Sequence, residues 1–231
     1  MVELTHEDFN NMVADNKALK VYNIIYMVFI LVLVGIGVFF SRVDNHILQE
    51  PKDYVIEVYS NKMHDNYIRS RANLIDSIDK YIITVAPSST LNGSKIIEAC
   101  DEMSIDIKFV LAQGQLESHF GTKGLASRTN SVFNVWAWDG VPESHINDKG
   151  KYKHPDFSVE PYMNLLKTSY LVDGKTEMDL MDNFVNCRGE RYASNPNYEK
   201  QLFDIYMKVN SIVDIDKAYQ EYNKYKILSG V

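Results

Sequence analysis

IKFVLAQGQLESHFG, residues Ile107–Gly121, is the stretch on which the reading of the fold turns. Ile107, Val110, Leu111 and Gly114 recur at the i, i+3, i+4, i+7 spacing of a buried helix face. Glu117 continues that stripe at the C-terminal end. A carboxyl placed where the pattern calls for a hydrophobe loses solvation, which disfavours its charged form and raises its pKa. Such a group can hold a proton near neutral pH and hand it on, which is what a general acid must do. The competing reading is a helix-end glutamate turned to solvent. Asp106, or Ser104 before it, can cap the helix, and Gly121 can close it. His119 points away from Glu117 on such a helix and reads as a surface or groove-lip residue.

The neighbouring segments decide between the two readings. AQGQLESHFGTKGLA (112–126), followed by TNSVFNVWAW (129–138), resembles the AQAALESGWG and NNLFG signature of family 73 of the glycoside hydrolases, the peptidoglycan glucosaminidases. FSVEPYMNLL (157–166) and FVNCRGERYASNPNYEKQLFDIYMKVN (184–210) are closer still to the Bax-like branch of that group. The likeness runs in consistent order over roughly residues 95 to 212, and several agreeing blocks carry more weight than one short motif. It implies a mainly α-helical, lysozyme-like domain with a small β-hairpin lobe, and Glu117 as the acid that protonates the leaving sugar oxygen.

Residues 129–140 are dense in aromatics and amides, a mixture that suits a saccharide cleft because rings stack on sugar faces and amides bond hydroxyl and acetamido groups. Asn130 and Phe133 match the family pattern and are expected to bind substrate. Trp136 and Trp138 suit core and cleft about equally and are carried as substrate-binding candidates. The resemblance also implies a tyrosine beside the acid, for which Tyr192 stands in place, its hydroxyl available to orient water or the acetamido group. Tyr198 corresponds to a second cleft aromatic. Arg188 and Glu190 read as a structural ion pair.

Related enzymes carry a second acid in the small lobe. Here DGVPESHINDKGKYKHPD (139–156) has the turn signals of a loop or hairpin but lacks the usual Thr-Glu pattern. Glu143 and Asp148 are the candidates, with Asp156 behind them. An inverting reaction needs such a base to activate water, with carboxyls about 6.5–9.5 Å apart; otherwise the substrate's own acetamido oxygen can serve as nucleophile. His145, Asp148, His154 and Asp156 fit no strong ligand spacing, so neither a metal nor a cofactor is expected.

Upstream, Val21–Ser41 is a run of 21 uncharged residues between Lys20 and Arg42. As a helix it spans about 31 Å, against a hydrocarbon core of about 30 Å, and SRVDNH offers no signal-peptidase site. A signal anchor is expected over 21–41, with residues 1–20 as a cytoplasmic tail and 42–53 as a linker. Lys17 and Lys20 before the span favour that orientation, which puts the bulk of the chain on the cell-wall or periplasmic side. The catalytic-type domain is expected over 54–213. It would hold one long or two shorter helices over Tyr54–Ile83 ending near Pro87, a Ser94-capped helix over Lys95–Met103, helices over Pro161–Val172 and Met178–Asn186, and a closing helix over Glu199–Val213. The Tyr- and Lys-rich residues 214–231 read as a tail. Cys100 and Cys187 both fall in apolar helical contexts and read as free thiols.

A net charge of −7 with no Lys/Arg cluster argues against a nucleic-acid partner. The expected partners are peptidoglycan glycan strands and, through residues 21–41, a membrane. Two other functions remain in view. A lytic transglycosylase also uses one glutamate but follows it with a Gly-Leu-Met-Gln type block, where this chain has NSVFNVW. A non-catalytic wall-binding or assembly protein of a secretion apparatus or virion would keep the cleft and lack the second acid.

Overall fold

A computed structural model of the chain describes Met27 and residues 49–136 and 150–231. The chain divides into two units, residues 1–60 and 61–231; the site and its supports lie in the second. The described residues are mainly helical, with no strand among them and one isolated antiparallel bridge between Val185 and Arg191. Of the expected membrane span over 21–41, only Met27 falls among the described residues, where it is helical and exposed. No helix among those residues is long and apolar enough to cross a membrane. The expected hairpin lies largely in 137–149, also outside them; its described end is irregular and then a 3-10 turn over Pro155–Ser158.

Helix α1 (Gln49–Val85) is one helix, not two. The expected linker is therefore helical from Gln49, and Pro51 lies in the first turn, where its missing N–H has no helical partner to lose. The helix stops two residues before Pro87. Leu74, Ile78, Tyr81 and Ile82 form its buried side. Helix α2 (Gly93–Met103) starts earlier than Ser94 predicts, because Asn92 is the cap and its side chain accepts the Ser94 N–H at 2.9 Å. The Gly93 N–H donates to Asp79 Oδ1 at 2.6 Å. A Cβ on Gly93 would stand 2.8 Å from that oxygen and 2.9 Å from Ile78, so glycine is what lets α2 approach α1 this closely.

Helix α3 (Ile107–Ser118) is the quoted stretch. Asp106 caps it as expected, accepting the Lys108 N–H at 2.7 Å. It is buried on more than the predicted stripe: Phe109, Ala112 and Gln113 are enclosed as well. A helix buried nearly all round is a core helix, and its neighbours are arranged about it. It ends at His119 rather than Gly121, with His119, Phe120 and Gly121 all at positive φ. The N–H groups of His119 and Phe120 return to the Gln115 and Gly114 carbonyls. That turn folds the Phe120 ring back over Gly114, where a Cβ would stand 3.1 Å from it.

After a short α4 (Ala126–Thr129), α5 (Val159–Leu165) continues into a π-helical turn over Leu166–Tyr170, burying Tyr162, Leu166 and Tyr170. Helix α6 (Glu177–Asp182) carries a Thr176/Asp179 capping box and ends short of the expected Asn186. Helix α7 (Tyr198–Ile212) packs along α3, the broadest helix–helix contact among the described residues. Residues 214–231, expected as a tail, are mostly helical. Asp214 caps α8 (Ile215–Ser229), which buries Ile215 and Tyr222, and the Tyr222 hydroxyl donates to Asp101 on α2.

Candidate active site

The end of α3 delivers Glu117 to a cleft of about 760 Å³. Leu116, Asn134, Val135 and Trp136 are in its lining, as are Leu165, Tyr170, residues of the segment 186–195, Tyr198 and Gln201. Glu117 is half-buried. The Tyr198 hydroxyl donates to its Oε1 at 2.5 Å, and the Asn134 amide donates to Oε2 at 3.0 Å and to the Glu117 backbone carbonyl at 3.1 Å. The next residue fastens the helix end to the loop that carries Asn134: Ser118, fully buried, donates to the Val132 carbonyl at 2.6 Å and accepts the Gly121 N–H at 2.8 Å. Asn134 and Trp136 are both left-handed, at φ 52° and 62°. Backbone held in that region clusters where a fold must aim side chains against its own preference.

The expected site residues separate under this geometry. Tyr198 touches the carboxyl, although the resemblance gave that neighbourhood to Tyr192. Tyr192 lines the same cleft but commits its proton to the Phe133 carbonyl at 2.8 Å, and its ring stacks on Phe184 at 4.7 Å. Trp136 is 49% exposed on the cleft wall, in reach of a ligand. Phe133 is not: it is 1% exposed and stacked on Tyr162 at 3.8 Å, so its ring belongs to the core and only its carbonyl serves the site. Asn130 is also a structural residue. It ends α4 at φ 56°, donates to the Tyr152 carbonyl at 2.8 Å, and is not part of the cleft lining. Trp138, Glu143 and Asp148 lie outside the described residues, as does His145. Among those residues no cluster suits a metal ion.

Asp156 accepts the Asn92 N–H at 2.9 Å and pairs with His154, a structural role. Arg188 and Glu190 form the expected ion pair at 3.3 Å, on the cleft rim, with the Asn186 amide also donating to Glu190. Arg191 is held by both oxygens of Glu199. Cys100 is buried, Cys187 exposed, and both are free.

Two residues that bond into this arrangement escaped the sequence reading. Asn134 sits two positions before Trp136 in a run already marked as amide-rich, yet nothing in the run distinguishes it from Asn130. Gln113 stands four residues before Glu117 inside the apolar helix; it is fully buried, donates to the Tyr198 hydroxyl at 3.1 Å and accepts from Tyr162. An amide at an all-apolar helical position was the available signal.

Burial, with the Glu117 carboxyl second, pushes the Tyr198 and Tyr192 hydroxyls well above the ordinary tyrosine value. Burial does the same to Tyr162 and raises Tyr81 to about 12. These hydroxyls therefore remain donors throughout the pH range in which the protein can work. Because the folded values exceed the unfolded value of about 10, this contribution to stability is intact below about pH 10. Above it the unfolded chain sheds protons that the folded chain keeps, and stability falls by about 1.4 kcal/mol per pH unit for each such tyrosine. Denaturant titrations at stepped alkaline pH should show this decline, with tyrosinate absorbance from the buried rings appearing only on unfolding.

With this geometry the sequence comparisons agree. The model of the glucosaminidase family, described as mannosyl-glycoprotein endo-beta-N-acetylglucosaminidase, matches residues 93–211. That is just over half of the chain, and the chain belongs to this family, family 73 of the glycoside hydrolases. Two proteins from strains of Streptococcus pneumoniae, each named "Putative endo-beta-N-acetylglucosaminidase", are 25% identical to it over 118 residues. That stretch is 51% of this chain but only 17% and 16% of theirs, so the chain spans about a sixth of the relatives it matches.

Proposed function

We propose that this chain is a peptidoglycan hydrolase that cleaves the β-1,4 bond after N-acetylglucosamine, with Glu117 as general acid in a lysozyme-like domain. The observation that carries the reading is the Glu117 carboxyl at the edge of an aromatic-walled cleft, with a hydroxyl on one oxygen and an amide on the other. Hydrogen bonds to a charged acceptor are stronger than those to a neutral one. Tyr198 and Asn134 therefore favour the carboxylate that forms as the proton passes to the glycosidic oxygen, which is stabilisation specific to the transition state. Trp136 supplies an exposed ring against which a sugar can stack, and Tyr192 forms part of the wall beside it. Water completes the reaction by adding to the anomeric carbon. Its proton goes to a base, for which Glu143 and Asp148 are candidates; where the substrate's acetamido oxygen has instead displaced the leaving group and closed a ring on that carbon, water opens the ring and returns its proton to the Glu117 carboxylate.

The uncharged run over 21–41 supports a signal anchor with a cytoplasmic N-terminus. That topology would hold the cleft on the side of the membrane where the glycan lies. Incubating the full chain with purified sacculi tests the reading. Release of new reducing ends is expected, whereas binding to the wall without any release would favour a wall-binding or assembly role.

A further inference from the structure

A line of three hydrogen bonds leads from the core to the acid. The Tyr162 hydroxyl donates to Gln113 Oε1, Gln113 Nε2 donates to the Tyr198 hydroxyl at 3.1 Å, and Tyr198 donates to Glu117 Oε1 at 2.5 Å. Gln113 and Tyr162 are 0% exposed and Tyr198 is 5% exposed, so the two inner bonds are closed to water. Tyr162 is itself immobilised by its stack on Phe133. The direction of the line is set at its inner end. Among the described residues, Gln113 Oε1 is the acceptor that the Tyr162 proton has. Turning the amide over would face Nε2 towards Tyr162 and strand that proton in the core, which leaves a buried donor unsatisfied. With Oε1 held towards Tyr162, Nε2 must face Tyr198 and occupy a lone pair of its oxygen. The one proton of Tyr198 is then directed away from Gln113, onto Glu117.

We propose that Gln113, oriented by Tyr162, is a positioning residue that fixes the Tyr198 hydroxyl as a donor to Glu117 Oε1. A hydroxyl held in that sense donates to the neutral carboxyl and more strongly to the carboxylate that forms as the proton leaves. It therefore needs no reorientation during the transfer. The inference rests on the reading of Glu117 as the proton donor.

Three variants of the full chain, assayed on solubilised glycan strands with their folding checked by thermal unfolding, test it. In Gln113→Leu, kcat should fall roughly tenfold to a hundredfold, the worth of one hydrogen bond to a charged group, with KM unchanged. In the Tyr198→Phe background the same change should cost nothing more in kcat, because Gln113 acts only through that hydroxyl. Gln113→Glu separates positioning from packing even if the leucine variant folds poorly. A neutral carboxyl there can accept from Tyr162 and donate to Tyr198, as the amide does, but once ionised it accepts from both and draws the Tyr198 proton away from Glu117. Since burial raises the pKa of an introduced carboxyl, activity should be near the wild-type level at acidic pH and decline along a new alkaline limb that wild type lacks. Wild-type kcat in Gln113→Leu, losses that multiply with Tyr198→Phe, or an unaltered pH profile in Gln113→Glu would each overturn the relay. Absence of cleavage by the wild-type chain would instead overturn the reading of Glu117 on which it rests.

Discussion

Glu117→Gln lowers kcat on solubilised glycan strands by roughly two to four orders of magnitude, the usual contribution of a positioned acid, and leaves KM little changed. The amide has nearly the size of the carboxyl and its oxygen still accepts the Tyr198 hydroxyl; its NH2 gives up the bond from the Asn134 amide, which stays anchored to the backbone carbonyl of the same residue. What is lost is the transferable proton, together with the negative charge that Tyr198 and Asn134 would stabilise once it has gone. Trp136 and the rest of the cleft wall remain to bind sugar, which is why the effect belongs in kcat. Steady-state kinetics of the two proteins check this. A rise in KM at constant kcat would make Glu117 a binding residue, because that pattern marks uniform binding.

Ending the chain after Val213 destabilises the domain by on the order of 5 kcal/mol. Ile215 and Tyr222 are each 1% exposed, and burying side chains of this size stabilises by about 1.5–3 kcal/mol apiece. Their removal also uncovers the surfaces on which they pack. Asp101 loses both the Tyr222 hydroxyl and the Lys226 ammonium, 3.0 Å away, and Lys108 at the start of α3 loses Asp216 at 2.9 Å. Domains of this kind are stable by about 5–15 kcal/mol in total, so the shortened chain should be close to unfolded at ambient temperature. Urea denaturation of the full and shortened chains measures the difference. Equal midpoints would mean that α8 contributes nothing to the fold.

The sequence was most readable where one physical requirement dominates. The stripe through Ile107, Val110, Leu111 and Gly114, capped by Asp106, identifies α3, and Pro87 marks where α1 must stop. Ser94 and Asn92 are both good caps two residues apart, and the choice fell to Asn92 because Gly93 had to sit against Asp79. In α8 the apolar spacing of Ile215, Ala218, Tyr219 and Tyr222 was present, but Lys and Tyr between them hide it: their stems pack while their polar ends stay wet. The site was less readable than the fold. Phe133 and Trp136 are three residues apart in one aromatic run, yet the first faces the core and the second the cleft. Asn134 and Trp136 both take positive φ, and no residue pattern announces that. Gln113 and Asn134 matter through what they donate to, a relation between distant segments that local spacing does not encode.

The most direct test of the central claim is the mass of the new chain ends made by the full protein on purified peptidoglycan, reduced with borohydride before analysis. Water delivered to the anomeric carbon of N-acetylglucosamine, with Glu117 protonating the departing oxygen, predicts N-acetylglucosaminitol at those ends and their disappearance in Glu117→Gln. Reduced N-acetylmuramic acid ends would mean cleavage of the other bond, and anhydro ends without added water would mean a lytic transglycosylase; either result contradicts the account.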